Sequence, residues 1–447
     1  MLRLPDHLER FLIEPDDPAY ARVSSTYTTK ARPAGVLFPR GDQDIADALA
    51  AVADTSLPLS IRSGGHGLSG RSTNDGGLVI DLSQLDQIEV VDRDRHLVRI
   101  GPGARWGTVA ERLATEGLVI SSGDHGNVGV GGSATGGGVG WLARGYGLTI
   151  DHVRAAELIT VDGRRLRVTD TTEGDLFWAL RGAGAGIGVI TAYEIEAMPL
   201  TGVGVAGLTY LVEPHGQTLA AWAAALSRSP RELSAMANLM MQGDNLVLSV
   251  TAVVASSHED VIRDALAPLL AAGPVHAQTQ VVPYDALVSP AHQHANVGQQ
   301  AATATSAALR ELDEDAARAL ARAARSRHRP LIQFRSLDGA VRDVDPDATA
   351  FHHRSHQFLV AGVVFGSHRD AALADAWGPV AALADGAYPG FESRGDADSF
   401  RRAYPGQTGQ RVSATWQRMD PRGLIRPITC APAAVRGRGS AGRPARG

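Results

Sequence analysis

Three glycine-rich runs constrain this chain more than any other feature. They lie at 62–70 (Arg-Ser-Gly-Gly-His-Gly-Leu-Ser-Gly), 128–140 (Val-Gly-Val-Gly-Gly-Ser-Ala-Thr-Gly-Gly-Gly-Val-Gly) and 181–191 (Arg-Gly-Ala-Gly-Ala-Gly-Ile-Gly-Val-Ile-Thr). Glycine reaches backbone conformations closed to other residues and lets a segment approach its neighbours with no side chain between. In the first run, directly after a strand-like segment at 59–62, consecutive glycines turn several N–H groups toward one point. Such a nest suits an anion, typically a phosphate, with Arg62 and Ser69 as helpers; a flexible turn is the plain alternative. The second run is interleaved with valine and followed by Trp141 and Leu142, unlike a polar linker. It reads as backbone pressed against something flat, and a large planar cofactor fits. The third invites a dinucleotide-binding reading, but its order is wrong. A helical segment at 175–180 precedes it and a strand-like one at 189–198 follows, whereas that fingerprint follows a strand and opens a helix.

Around the runs the texture changes once. Before about residue 200, short elements alternate: strands at 34–38, 59–62, 77–81 and 97–100, and helices at 42–53, with Asp42 as its cap, and 106–116. From about 201, longer β-like runs appear at 203–212, 246–255 and 358–365. Ala-rich helices at 217–227 and 311–327 lie between them, the latter acidic at its start and basic at its end. The pattern predicts an α+β chain: short alternating elements up to about residue 200, then from about 201 an antiparallel sheet covered by helices on one face. A Pro/Ala/Gly/Arg tail at 429–447 is expected to be disordered.

Length and charge set the outer limits. A chain of 447 residues calls for more than one domain, and a net charge of -5 argues against nucleic acid as partner. No stretch of about twenty apolar residues suggests a membrane span, and the first ten residues lack the apolar core of a signal peptide. Cys430 is the sole cysteine, so neither an intrachain disulfide nor a cysteine metal cluster is expected, and no metal site is assigned. These features point to a bacterial-type cytoplasmic protein.

With the loops in view, the chain resembles the FAD-linked oxidases of the vanillyl-alcohol-oxidase superfamily, in their berberine-bridge-enzyme-like branch. The resemblance rests on Arg62–His66, the Val128–Gly132 and Gly136–Gly138 stretches, 146–153 (Tyr-Gly-Leu-Thr-Ile-Asp-His-Val), 175–182 (Asp-Leu-Phe-Trp-Ala-Leu-Arg-Gly) and 349–354 (Thr-Ala-Phe-His-His-Arg), with a weaker match at Tyr404-Pro405-Gly406 and Asp420-Pro421. It implies FAD as cofactor, bonded through its 8α-methyl to His66, on a two-part FAD-binding domain at 1–200 (1–92 and 93–200), with a substrate-binding domain at 201–390 and a segment at 391–428 that returns to the FAD domain. The cofactor-binding set it implies is Arg62, Ser63, Gly64, Gly65, Gly67, Leu68, Ser69, His125, Val128, Gly129, Gly131, Gly132, Ser133, Gly137, Gly138, Gly140, Gly188, Val189 and Ile190. Many relatives carry a second bond from a cysteine shortly before the second run. Here His125 stands in that place, so a single covalent link is implied, similar to bacterial 6-hydroxynicotine oxidases of the D-specific type. The implied reaction takes a hydride from a small-molecule substrate and passes electrons to O2, with the small Val128 suiting oxygen access.

The chain departs from this pattern on its substrate face. Plant relatives place a Glu on the strand after the His-Arg motif, where 355–360 holds no acid. Sugar-oxidising relatives place a Tyr where Phe391 stands. His125, His356, Phe358, Phe391 and Tyr404 remain as catalytic or substrate-contacting candidates, with His125 as a loop residue and His356 as a buried polar filler the bland alternatives. Gly186 and Ile187 replace a usual Asn and Phe, Trp416 a usual Lys, and Gly423 a usual Asn. These leave open a substrate oxidised as a free amine, a base supplied elsewhere, and a flavin-binding protein with little turnover; a noncovalent FAD dehydrogenase is the further alternative.

Overall fold

The computed structural model describes residues 3–288, 301–366 and 368–425. The expected tail at 429–447 and Cys430 lie outside these residues. Apolar periodicity explains the first layer. Ile45, Ala48, Leu49 and Val52 recur along one face of the helix Asp42–Ala53 and are fully buried. They cover a sheet ordered Leu12–Ile13, Gly35–Leu37, Leu78–Asp81, Leu59–Arg62, whose last three strands run parallel. Gly41, not Asp42, takes the cap position of the helix; Asp42 lies in its first turn, where a carboxylate suits the positive end of the helix dipole.

A second sheet is antiparallel throughout and ordered Ile88–Asp92, Leu97–Ile100, Val189–Glu196, Val153–Ile159, Arg165–Val168. The third is a seven-stranded antiparallel sheet, ordered His276–Pro283, Gly202–Val212, Asn245–Val254, Leu233–Gln242, Leu331–Ser336, Phe358–Phe365, Ala302–Leu309. Helices Gln217–Arg228, Glu259–Ala271, Glu314–Ala324 and Asp370–Ala381 cover one face of it. The chain is therefore an α+β protein. The helix expected at 311–327 is shorter because Asp313 caps it, its carboxylate accepting from Ala316 N–H at 2.9 Å.

Strand alternation corrects one candidate. Phe358, Val360 and Val364 point into the helix-covered core, where Phe358 packs 5.2 Å from Trp222 and 6.1 Å from Phe334. Phe358 is thus a core residue, facing away from any site on the opposite face.

Two of the sequence motifs meet as an ion pair. Arg354, 1% exposed, donates from Nη1 and Nη2 to the two carboxylate oxygens of Asp151 at 2.9 and 2.6 Å, and from Nη2 to Thr349 Oγ1 at 2.8 Å. The pair ties the short helix Thr149–His152, beside the second sheet, to the loop entering the third. Removing one partner of a buried pair strands the other charge, a cost of about 3 kcal/mol. Asp151→Ala is expected to lower the thermal midpoint of unfolding by several degrees. A midpoint equal to wild type in a thermal melt would show that the pair is not what joins these segments.

Candidate active site

The site grows from the contact between the first two glycine runs. The strand Leu59–Arg62 ends in the loop carrying His66, and the second run passes directly against that loop. A Cβ on Gly64 would come within 2.3 Å of the Gly129 nitrogen, and one on Gly129 within 2.1 Å of Ser63 Oγ. Both positions therefore require glycine. Arg105 staples the two loops: its Nη1 donates to the carbonyl oxygens of Gly64, at 2.9 Å, and of Asn127. Ser63 Oγ donates to Pro102 O at 2.6 Å, and Trp106 Nε1 to Ser133 Oγ at 2.6 Å, completing the brace.

Beside this junction runs a cleft. Of the residues named from sequence, Ser63, Gly64, Gly65, His66, Gly67, Ser69, Val128, Gly129, Gly131, Gly132, Ser133, Gly138, Gly188 and Ile190 line it, and so does Phe391. A Cβ on Gly67 or Gly132 would meet no protein atom within 4 Å. Both therefore border open space in the cleft, and a side chain there would project into it.

Other named residues have structural work nearby. Arg62 is buried behind the loop, its Nε donating to Asp81 at 2.6 Å. A Cβ on Gly137 would press on the Tyr388 ring at 2.9 Å, and one on Gly140 would overlap the Ser122 carbonyl. Val189 is buried in the first-sheet core, and Leu68 is half-buried off the cleft wall. Two catalytic candidates are displaced. Tyr404 is buried against Phe400 and Trp416, its hydroxyl donating to Gly182 O at 3.0 Å. His356 is buried beside His353, with Nε2 on Asp385. Neither reaches the cleft, because packing has turned each into an aromatic or polar core group.

His66 sits at the cleft wall with its ring 4.9 Å from Tyr27, nearly parallel at 18°, and 5.5 Å from His125. Burial above all, and then the neighbouring His125 and the Arg105 guanidinium, pull its pKa down to about 4. The imidazole is therefore neutral, with a lone pair to offer. His125 accepts from Asn127 N–H on Nδ1 at 3.2 Å, which leaves its proton on Nε2 when the ring is neutral.

The cleft wall also holds groups that the sequence does not mark. Asp124 and Tyr388 line the cleft with Phe391. Arg335, buried on the open face of the seven-stranded sheet, donates to Asp124 Oδ2 at 2.6 Å and stacks 4.3 Å from the Phe391 ring centroid. Tyr388 Oη accepts from Gly138 N–H at 3.3 Å, and burial pushes its pKa upward. No periodicity marks these residues, since they come from three separate segments.

Comparison with known proteins agrees with this geometry. Residues 33–169 match the family model of an FAD binding domain. The (R)-6-hydroxynicotine oxidase of Paenarthrobacter nicotinovorans is 35% identical over 201 residues, so the match spans 44% of this chain and 44% of that protein. A solved chitooligosaccharide oxidase superposes with a TM-score of 0.83 over 95% of this chain and 97% of its own, at 22% identity. Residues 33–169 therefore form a domain of the FAD-binding family, and the chain as a whole shares the fold of the solved oxidases. A glucooligosaccharide oxidase from Acremonium strictum, described as carrying 6-S-cysteinyl, 8α-N1-histidyl FAD, shares the fold with a TM-score of 0.82, 94% and 97% coverage and 21% identity.

Within this flavoprotein, two departures from the family pattern turn out to be one. A Cβ on Gly186 would lie 2.5 Å from the Trp416 indole, whose Nε1 donates to Ala183 O at 2.8 Å. The small residue makes room for the large one. For the loop junction, Gly129→Ala is expected to abolish FAD retention, and Arg105→Ala to reduce it at least tenfold, since the variant leaves buried carbonyls unpaired at a cost of about 1–3 kcal/mol. Flavin absorbance per protein after gel filtration measures both; full flavin content in Gly129→Ala would refute the close approach.

Proposed function

We propose that the chain is an FAD-dependent oxidase that holds its cofactor covalently on His66, as the single anchor, and oxidises a small organic amine or alcohol with O2 as acceptor. In this reading residues 1–200 and the returning segment 391–428 carry the cofactor, and residues 201–390 border the substrate. The observation that carries it is His66 itself: a neutral imidazole on the wall of a cleft framed by two interlocked glycine loops. The groups present suit FAD, because the cleft is bordered by glycines with open space in front of them and by loops able to approach a flat ring. His66 would bear the attachment, and Gly65, Gly67, Gly131, Gly132, Ser133, Gly188 and Ile190 would border the cofactor. When bound, FAD would accept a hydride from the substrate and pass the electrons to O2, giving hydrogen peroxide.

The chain's own residues then orient the substrate. Tyr388, kept protonated by burial, donates a hydrogen bond. Asp124, held by Arg335, is the acidic group on the cleft wall suited to accept a substrate proton. Val128 leaves space for oxygen beside the first loop. His125, with its proton on Nε2, serves as a hydrogen-bond donor and not as a second attachment point. A cytoplasmic bacterial setting fits a chain with one cysteine, and no helix among the described residues is long and apolar enough to cross a membrane. A second reading, a flavin-binding protein with little turnover, draws on the placement of His356 and Tyr404 away from the cleft.

Acid precipitation tests the anchor. A yellow wild-type pellet and a colourless His66→Ala pellet are expected; a colourless wild-type pellet refutes covalent attachment. Peroxide release across a panel of amines, alcohols and phenols separates the oxidase from the low-turnover reading, which predicts no flavin reduction by any of them. The pH dependence has a definite sign. The folded-state pKa of His66, about 4, lies below its ordinary 6.5, so in the folded protein the neutral nucleophile persists well below pH 6.5 and is lost as pH falls through about 4. Attachment of FAD to freshly made apoprotein is therefore expected to vary less than about twofold between roughly pH 5.5 and 8 and to slow steeply toward pH 4. A rise of about tenfold between pH 5.5 and 8, as an unshifted histidine gives, would contradict a neutral His66.

A further inference from the structure

We propose that Tyr27 is a positioning residue for covalent flavin attachment, its ring setting the plane of the His66 imidazole so that a ring nitrogen faces the cofactor. This rests on the attachment reading given above.

Three observations carry it. The two rings lie 4.9 Å apart and only 18° from parallel, an arrangement that restricts rotation of the imidazole about its Cβ–Cγ bond, otherwise a soft torsion. The Tyr27 backbone is fixed to the attachment loop independently of its side chain: its N–H donates to Gly65 O at 3.1 Å. The flanking residues are tied to the same unit, since Thr73 Oγ1 donates to Ser24 O at 2.7 Å and Arg62 Nη1 to Ser25 O at 3.4 Å. A Cβ on Gly70 would strike Thr29 Oγ1 at 2.4 Å, so the turn at 24–29 and the loop at 62–70 are closely packed. Finally, Tyr27 precedes the segment at 33–169 that matches the FAD binding domain, so this ring reaches the attachment histidine from outside that match.

The chemistry explains why orientation matters. A C–H bond of the 8α-methyl gives up its proton, and the imidazole lone pair forms the new N–C bond while the imidazole N–H proton is released. The electron pair left from the C–H bond reduces the flavin ring, and O2 removes that pair as hydrogen peroxide. The N–C bond forms only when the lone pair lies along the line to the methyl carbon. A ring held in that plane spends little time in unproductive orientations.

The test follows attachment itself and needs no substrate. Apoprotein of wild type, Tyr27→Phe, Tyr27→Leu, Tyr27→Ala and His66→Ala is incubated with FAD. The covalent fraction is followed over time by intact mass and by flavin fluorescence in denaturing gels, with noncovalent FAD affinity and thermal midpoint measured alongside. Tyr27→Phe, which keeps the ring, is expected to attach at the wild-type rate. Tyr27→Leu and Tyr27→Ala are expected to bind FAD with wild-type affinity but to attach it about tenfold more slowly. If the alanine variant melts early, the leucine variant, which fills the space without a ring, decides the matter. Attachment by Tyr27→Leu at the wild-type rate overturns the proposal, as does a Tyr27→Phe variant as slow as leucine, which would assign the effect to the hydroxyl. A wild-type chain that binds FAD and never attaches it refutes the attachment reading, and this proposal with it.

Discussion

The site depends on one backbone contact, the approach of Gly64 to Gly129 under the guanidinium of Arg105. Both loops enter this junction from different sheets: the first leaves a parallel strand, the second lies beside the antiparallel layer. With no Cβ on either side, the peptide planes come close enough for one arginine to hold both carbonyls. That contact fixes the wall of the cleft and, with it, the place of His66. It also explains why a positively charged group sits behind His66. Arg105 serves the loops first, and its charge helps keep the neighbouring imidazole neutral.

The second dependency joins the second sheet to the third. Asp151 and Arg354 are 203 residues apart, yet each is buried against the other with both carboxylate oxygens engaged. Such a pair gives modest net stability, because removing two charges from water offsets most of the attraction. Its value lies in geometry: a bidentate fork has one orientation, so it sets how the loop before the strand Phe358–Phe365 meets the helix Thr149–His152. Phe391, Tyr388 and Asp124, which line the cleft, come from segments on either side of this joint. Arg335 then does for Asp124 and Phe391 what Arg105 does for the glycine loops, holding two groups from distant segments with one planar cation.

Much of the cofactor side was legible in the residues. A glycine run after a strand, a second interleaved with valine, and a histidine between glycines carry chemical meaning locally, and most of the residues so marked line one cleft. The periodic helix Asp42–Ala53 and the strand Phe358–Phe365 appear with the expected bounds. Several strands were not legible. Leu233–Gln242 and Ala302–Leu309 carry Ala, Met and Ser with little alternation, because helices bury one face of their sheet and other parts of the chain cover much of the other. Ala-rich, doubly covered strands leave no two-residue period to read.

By itself, then, the sequence determined what is local: glycines at the loop positions, a histidine between glycines, and departures from a family pattern at 186, 391 and 416. Only the tertiary structure decided what these mean together. Gly186 and Trp416 are a single packing exchange, and Phe358 and Tyr404 belong to the core. His356 is held by Asp385, while Asp124 and Tyr388 face the cleft. The physical reason is that a side chain's chemistry is set by its neighbours in space. Those neighbours are chosen by strand alternation and by contacts hundreds of residues apart, which no local window of sequence contains.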